Sequence, residues 1–233
     1  MATLNILSGG AAQGLVASLA PDFKALTGFE IGGEFGAVGA MAETLRNGTP
    51  TDIVILTAEI VARLAEENRV VPTSVADIGL VETAMAVRAG DPPVTVNDAA
   101  ALREAFLAAD AIFVPDTKAS TAGIHVAKVL QQLGVANAVA ARLKIYPNGA
   151  TAMRQLAASD AARPIGCTQS TEIISTKGVV LSGSLPKGCE LSTMYTAAVT
   201  RQATHANQAQ HLIELLIGTG ARERRTRAGF LNP

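Results

Sequence analysis

The sequence predicts an α/β protein whose strands alternate with helices around a parallel or mixed sheet. Three observations predict it. Short apolar runs of strand length alternate with segments of helical period along the whole chain. Aromatic residues make up 3% of a chain that is 48% hydrophobic, and there is no Trp, so Ala, Val and Leu must fill the interior. Helix-covered parallel sheets are built that way. Finally, several strands run into small-residue, glycine-bearing turns that open helices. A chain of 233 residues suffices for one large domain or two small lobes, each with its own core.

The elements follow from the pattern. Leu4-Asn5-Ile6-Leu7 reads as the first strand. Residues 11–27 form a helix with Leu15, Leu19, Phe23 and Leu26 on one face, stopped by Gly28. Phe29 to Phe35 is a second strand, and a short helix through Met41 and Leu45 ends at Gly48. Ile53-Val54-Ile55-Leu56 is a continuous apolar strand followed by a helix from Ala58 to Asn68. Strands at 85–88, 111–114, 164–167, 179–181 and 194–199 alternate with helices at 99–109, 123–133, 150–158 and 206–217.

Composition excludes several functions. Nineteen basic and 20 acidic residues leave a net charge of −1, without the basic excess of a nucleic-acid binder. No apolar run is long enough to insert in a membrane. Strand pattern begins at Leu4 with no basic and apolar leader before it, so the chain as written is expected in the cytoplasm. It is expected in the periplasm where it is the mature part of an exported precursor. Cys167 and Cys189 are expected as free thiols. His125, His205 and His211 lack metal-ligand spacing, and no dinucleotide or phosphate loop is present, so neither a metal nor a cofactor is expected. Arg222, Arg224, Arg225 and Arg227 are expected on a solvated helix face.

The glycine-bearing turns carry the functional expectation. They are Ser8-Gly9-Gly10-Ala11, Gly36-Ala37-Val38-Gly39-Ala40, Ser120-Thr121-Ala122-Gly123 and Asn148-Gly149-Ala150. Small residues let a ligand approach the backbone. A helix start leaves N–H groups unpaired and carries positive dipole charge, so several starts aimed at one point hold an anion without a formal cation. In open α/β sheets that point lies at the carboxyl ends of the strands.

Six stretches, in this order and spacing, resemble the molybdate-receptor-like branch of type II periplasmic solute-binding proteins. They are Leu19-Ala20-Pro21-Asp22-Phe23, Phe35-Gly36-Ala37, Gly48-Thr49-Pro50-Thr51-Asp52-Ile53, Ala122-Gly123-Ile124-His125 with Leu130-Gln131-Gln132-Leu133-Gly134, and Gly229-Phe230. The resemblance implies two α/β lobes joined by two crossover strands, with a ligand cleft between the lobes. Lobe one would comprise residues 1–82 plus 196–233, and lobe two residues 83–195. Molybdate receptors use a serine hydroxyl in each of the first two loops, backbone N–H groups in the next two, and a tyrosine hydroxyl. Laid on this chain, those positions fall near Ala11 with Ser8 close by, in Ala37-Val38-Gly39, near Ala122 and Gly149, and on Gln169.

Three hydroxyl donors are therefore missing or displaced, and a tetrahedral oxyanion held by neutral donors needs nearly all of them. The Gln169 amide, which both donates and accepts, suits a carboxylate better. The expected ligand is an organic di- or tricarboxylate rather than molybdate. The expected contacts are Ser8, Gly9, Gly10, Ala11, Gly36, Ala37, Val38, Ser120, Thr121, Ala122, Asn148, Gly149 and Gln169. The branch without the molybdate hydroxyls resembles aconitate isomerase, which implies the alternative of a cofactor-free 1,3-proton shift on an unsaturated polycarboxylate. His125, Lys118 and Glu172 are the candidate catalytic groups in that case. A transporter partner is expected only for an exported form.

Overall fold

A computed structural model of the chain describes residues 2–232. Met1 and Pro233, the outer ends of the expected first lobe, lie outside the described residues. The strands are β1 (Thr3–Gly9), β2 (Glu30–Gly36), β3 (Ile53–Thr57), β4 (Ala76–Arg88), β5 (Ala111–Pro115), β6 (Leu143–Tyr146), β7 (Pro164–Gln169), β8 (Val179–Ser184) and β9 (Ser192–Val199). The helices are α1 (Gln13–Thr27), α2 (Val38–Arg46), α3 (Ala58–Glu66), α4 (Ala99–Ala108), α5 (Thr121–Gln132), α6 (Ala136–Val139), α7 (Gly149–Ala157), α8 (Ser170–Ser175), α9 (Ala206–Ile217) and α10 (Arg222–Arg227).

The chain divides into two compact units. One comprises Met1–Val81 with Thr193–Pro233, and the other Glu82–Ser192. β4 leads from the first into the second, and β9 leads back.

In the first unit β2 and β3 flank β1, both parallel to it, and β9 runs antiparallel along β3. All five residues of β3 are buried, as a strand covered on both faces requires. Leu15, Leu19 and Phe23 of α1 and Leu212 and Leu216 of α9 join Leu4, Ile6, Ile53 and Ile55 in one core. In the second unit β5 lies parallel between β6 and β7, and β4 pairs antiparallel with both β7 and β8. Alternation along β4 sends neighbouring residues to opposite faces. Met85 joins Leu102, Phe106, Val126, Val129, Leu130 and Cys167 beneath α4 and α5. Ala84 and Ala86 join Ala152, Met153, Leu156 and Ile173 beneath α7 and α8.

Several local expectations are corrected. Residues 10–12 form a single 3-10 turn, and α1 starts at Gln13. β4 begins nine residues before the expected 85–88 strand. Asp77, Gly79 and Glu82 interrupt its apolar pattern, but Leu80 and Leu231 exchange two backbone hydrogen bonds, of 3.0 and 2.8 Å. α6, β6 and α8 are short elements without a full period of apolar residues, and pattern reading passes over them. The arginine run is helical, but it is not simply solvated. Arg224 pairs with Asp22 at 2.5 Å, and Arg225 donates to the carbonyls of Leu216 (2.7 Å) and Gly218 (3.0 Å) at the end of α9. A cation there also offsets the negative end of the helix dipole. Both cysteines are free, and burial pushes the Cys167 thiol up to about 12.

Asp52, just before β3 and 1% exposed, ties three distant stretches together. Its carboxylate accepts from the N–H groups of Asn5, Thr204 and His205, each at 2.9 Å, from the Thr204 hydroxyl at 3.2 Å, and faces His205 Nδ1 at 3.4 Å. Burial acts to raise this carboxyl, but the hydrogen bonds outweigh it and hold it below the usual range. The depressed value makes its contribution to stability full above the unfolded value near ~3.9 and lost as pH falls through the lower folded value. Asp52→Ala leaves the N–H groups of Asn5, Thr204 and His205 without their carboxylate acceptor and is expected to cost about 2–3 kcal/mol in chemical denaturation. The wild-type protein should lose midpoint stability as pH falls below about 4, and the variant should lose less over the same fall.

Candidate functional site

The expected contacts sit at the carboxyl ends of strands in each unit. In the first unit β1 ends in Ser8 and Gly9, followed by the buried turn Gly10–Ala12, and the Ser8 hydroxyl donates to the Gly9 carbonyl at 3.0 Å. β2 ends at Gly36, and α2 begins after Ala37, which offers no side-chain cap. No hydroxyl stands in Ala37-Val38-Gly39. A Cβ on Gly9 would lie 2.7 Å from Val38 Cγ1 and 2.8 Å from Tyr195 Cε1, so only glycine fits there. The Tyr195 ring is 1% exposed and meets Phe230 edge-on, with centroids 6.4 Å apart. Sequence reasoning missed Tyr195. Its signal was a lone aromatic in the strand that register places opposite Thr57, the last residue of β3.

In the second unit the starts of α5 and α7 differ. Asp116 Oδ1 accepts from the N–H groups of Lys118 (2.7 Å) and Ala119 (2.8 Å) and shapes the loop before α5, leaving the Lys118 side chain exposed. Ser120 is the N-cap of α5, yet its side chain makes no capping bond. The N–H groups of Thr121, Ala122 and Gly123 precede the first intrahelical bond, which joins Ile124 N–H to Ser120 O at 2.9 Å.

The start of α7 is closed from within. Asn148 caps it conventionally, accepting from Thr151 N–H at 2.8 Å. The N–H groups of Gly149 and Ala150 donate to the Glu172 carboxylate, which also accepts from Gln169 N–H and, at 2.6 Å, from the Thr168 hydroxyl. Glu172 stands at the third position of α8 and bonds the N–H of its own N-cap, Gln169, as in a capping box. One carboxylate thus serves two helix starts. Burial pushes its pKa up, and the four donors restrain that rise only in part. Asn148 and Gly149, expected at a ligand, and Glu172, a candidate catalytic group, are engaged in these internal contacts.

His125 lies one turn into α5, and its Nε2 sits 2.8 Å from the Cys189 carbonyl. A carbonyl only accepts, so Nε2 carries the proton and, in the neutral ring, Nδ1 keeps the lone pair. Gln169 is 5% exposed at the end of β7, opposite Thr83 of β4. Thr83 is 1% exposed, and its hydroxyl has no hydrogen-bond partner among the described residues. It is a second residue that sequence reasoning missed, since nothing in a buried strand threonine announces an unmatched hydroxyl.

Comparison with known proteins places these features in a family. The family model described as bacterial extracellular solute-binding protein matches residues 4–231. The chain belongs to that family. It is 25% identical over 230 residues to aconitate isomerase from a Pseudomonas species, covering 94% of this chain and 84% of that protein. Among solved structures it is similar to the periplasmic molybdate-binding protein of Azotobacter vinelandii, with a TM-score of 0.83, 18% identity and 99% of both chains covered. The sulfate-binding protein SubI from Mycobacterium tuberculosis superposes with a TM-score of 0.76 and 19% identity, over 99% of this chain and 86% of that one. The fold class implied by the sequence resemblance, the type II periplasmic-binding-protein class, is therefore the fold of this solute-binding chain.

A Cβ on Gly149 would overlap the Glu172 carboxylate and the Thr168 hydroxyl. Gly149→Ala is therefore expected to displace that carboxylate and cost roughly 2–4 kcal/mol, read as a lower denaturation midpoint. Thr168→Val should cost about 1–2 kcal/mol by removing one of the four donors.

Proposed function

We propose that this solute-binding protein takes a small organic anion carrying two or three carboxylates. The observation that carries the reading is the open start of α5. A twelve-residue helix presents first-turn N–H groups with no side-chain cap, beside a Ser120 hydroxyl that does not serve as one. An anion is the natural acceptor for such groups. Carboxylate is favoured over molybdate by the donors. The Ser8 hydroxyl is turned onto Gly9, the second loop has no hydroxyl, and Gln169 stands where molybdate receptors carry tyrosine. Gly9, Gly10, Ala11, Gly36, Ala37 and Val38 are the proposed contacts of the first unit. Ser120, Thr121, Ala122 and Gln169 are those of the second. An exported form would deliver its ligand to a membrane transporter.

A second reading rests on the likeness to aconitate isomerase. A 1,3-proton shift needs a base near the substrate and donors for the dienolate. His125 is the best oriented of the three candidates, because its Cys189 contact fixes the ring and leaves the Nδ1 lone pair uncommitted to that contact. Lys118 points to solvent, and Glu172 is fully engaged.

Thermal denaturation with cis-aconitate, trans-aconitate, citrate, malate, molybdate and sulfate separates the ligand classes. A cognate anion at about 100 times Kd stabilises by about 2.7 kcal/mol, which for a chain of this size is a shift of roughly 5–10 °C. Stabilisation by molybdate alone would refute the carboxylate assignment. Ultraviolet absorbance of cis- and trans-aconitate incubated with the protein tests the second reading. Interconversion should disappear in His125→Gln, which keeps a donor for Cys189 but has no basic nitrogen. No interconversion by the wild-type protein leaves binding alone.

A further inference from the structure

We infer that Thr83 contacts the ligand directly. Its hydroxyl, the Gln169 amide and the open start of α5 form a subsite in the second unit for one carboxylate group. The inference rests on the proposed carboxylate ligand and names a donor that neither the family likeness nor the loop pattern supplies.

Thr83 carries a buried hydroxyl without a partner among the described residues. Its backbone is satisfied, with N–H donating to Leu191 O at 2.9 Å and the carbonyl accepting from Leu185 N–H at 3.3 Å. A hydroxyl removed from water and left unmatched is a cost that native structures seldom bear without a reason.

Position supplies the reason. Along β4, Thr83 shares a face with Met85, while Ala84 and Ala86 turn to the face beneath α7. Along β7, Gln169 shares a face with Cys167 by the same alternation. Met85 and Cys167 pack against Val126 and Val129 of α5. Thr83 and Gln169 are therefore direct cross-strand neighbours on the α5 side of the sheet, with Cβ atoms roughly 5 Å apart. Both lie at the end of the sheet where β5 and β7 terminate and where α5 begins after Ser120.

Hydroxyl, amide and first-turn N–H groups thus gather at one end of one face. All are neutral donors, as suits a carboxylate held without a salt bridge. The closed start of α7 lies on the opposite face, where Thr168 and Glu172 already satisfy one another. Thr83 has no such internal acceptor, and a ligand carboxylate would provide one.

The test measures binding of trans-aconitate and citrate to wild-type protein, Thr83→Val and Thr83→Ser by calorimetry, with melting of the unliganded forms. Thr83→Val keeps the shape and removes the hydroxyl. It should melt at or above the wild-type temperature and bind about ten- to a hundredfold more weakly, the loss expected for a hydrogen bond to a charged group. Thr83→Ser should bind within about threefold of wild type, since it restores the donor. Thr83→Ala repeats the measurement should Val not be accommodated. Wild-type affinity in both hydroxyl-free variants would overturn the Thr83 inference while leaving the carboxylate reading intact. So would a lower melting temperature with unchanged affinity, which would mark a purely structural hydroxyl. Failure of the wild-type protein to bind any carboxylate would overturn both together.

Discussion

A helix start exposes backbone N–H groups that must find an acceptor, and the second unit shows two solutions side by side. At α7 the acceptor is internal. Asn148 takes one amide, and the Glu172 carboxylate takes two more while also closing α8. At α5 no side chain takes that place. The open start keeps its first-turn N–H groups without a side-chain cap, and the contrast between two helices of one unit picks it out.

The same contrast explains the positions of neighbouring residues. Glycine at 149 is required because the Glu172 carboxylate comes against the backbone, leaving no room for a Cβ. Thr168 and Gln169 are adjacent in β7 and so face opposite sides of the sheet. The hydroxyl of the first completes the internal carboxylate site, and the amide of the second stands opposite Thr83. His125 is oriented by a main-chain carbonyl rather than by a carboxylate, so its ring is fixed without being paired to a negative charge.

Much of the fold was legible in the sequence because its long elements are strongly periodic. The apolar run 53–56 and the spacing of Leu15, Leu19 and Phe23 placed β3 and α1 correctly in kind. Tertiary pairing decided the rest. β4 extends back to Ala76 because it lies beside β9 in the sheet and Leu80 bridges to Leu231, partners more than a hundred residues away that no local pattern reveals. The glycine-bearing turns marked where helices begin at strand ends. Which starts are already filled depends on a glutamate some twenty positions beyond Asn148, and that proximity exists only in three dimensions. Tyr195 and Thr83 escaped for a related reason. Each matters through its cross-strand neighbour, and alternation within a single strand does not identify that neighbour.

The Asp52 tether also bears on the order in which the chain folds. Residues 82–192 form a continuous stretch, so the second unit has all of its sequence before the first has all of its own. During synthesis from the amino terminus, Asp52 waits through that entire interval for Thr204 and His205 to emerge. β9 and α9 are made later than the segment they complete. The inserted half is complete while the ribosome is still at work, whereas the split half cannot close around its carboxylate until Thr204 and His205 have emerged.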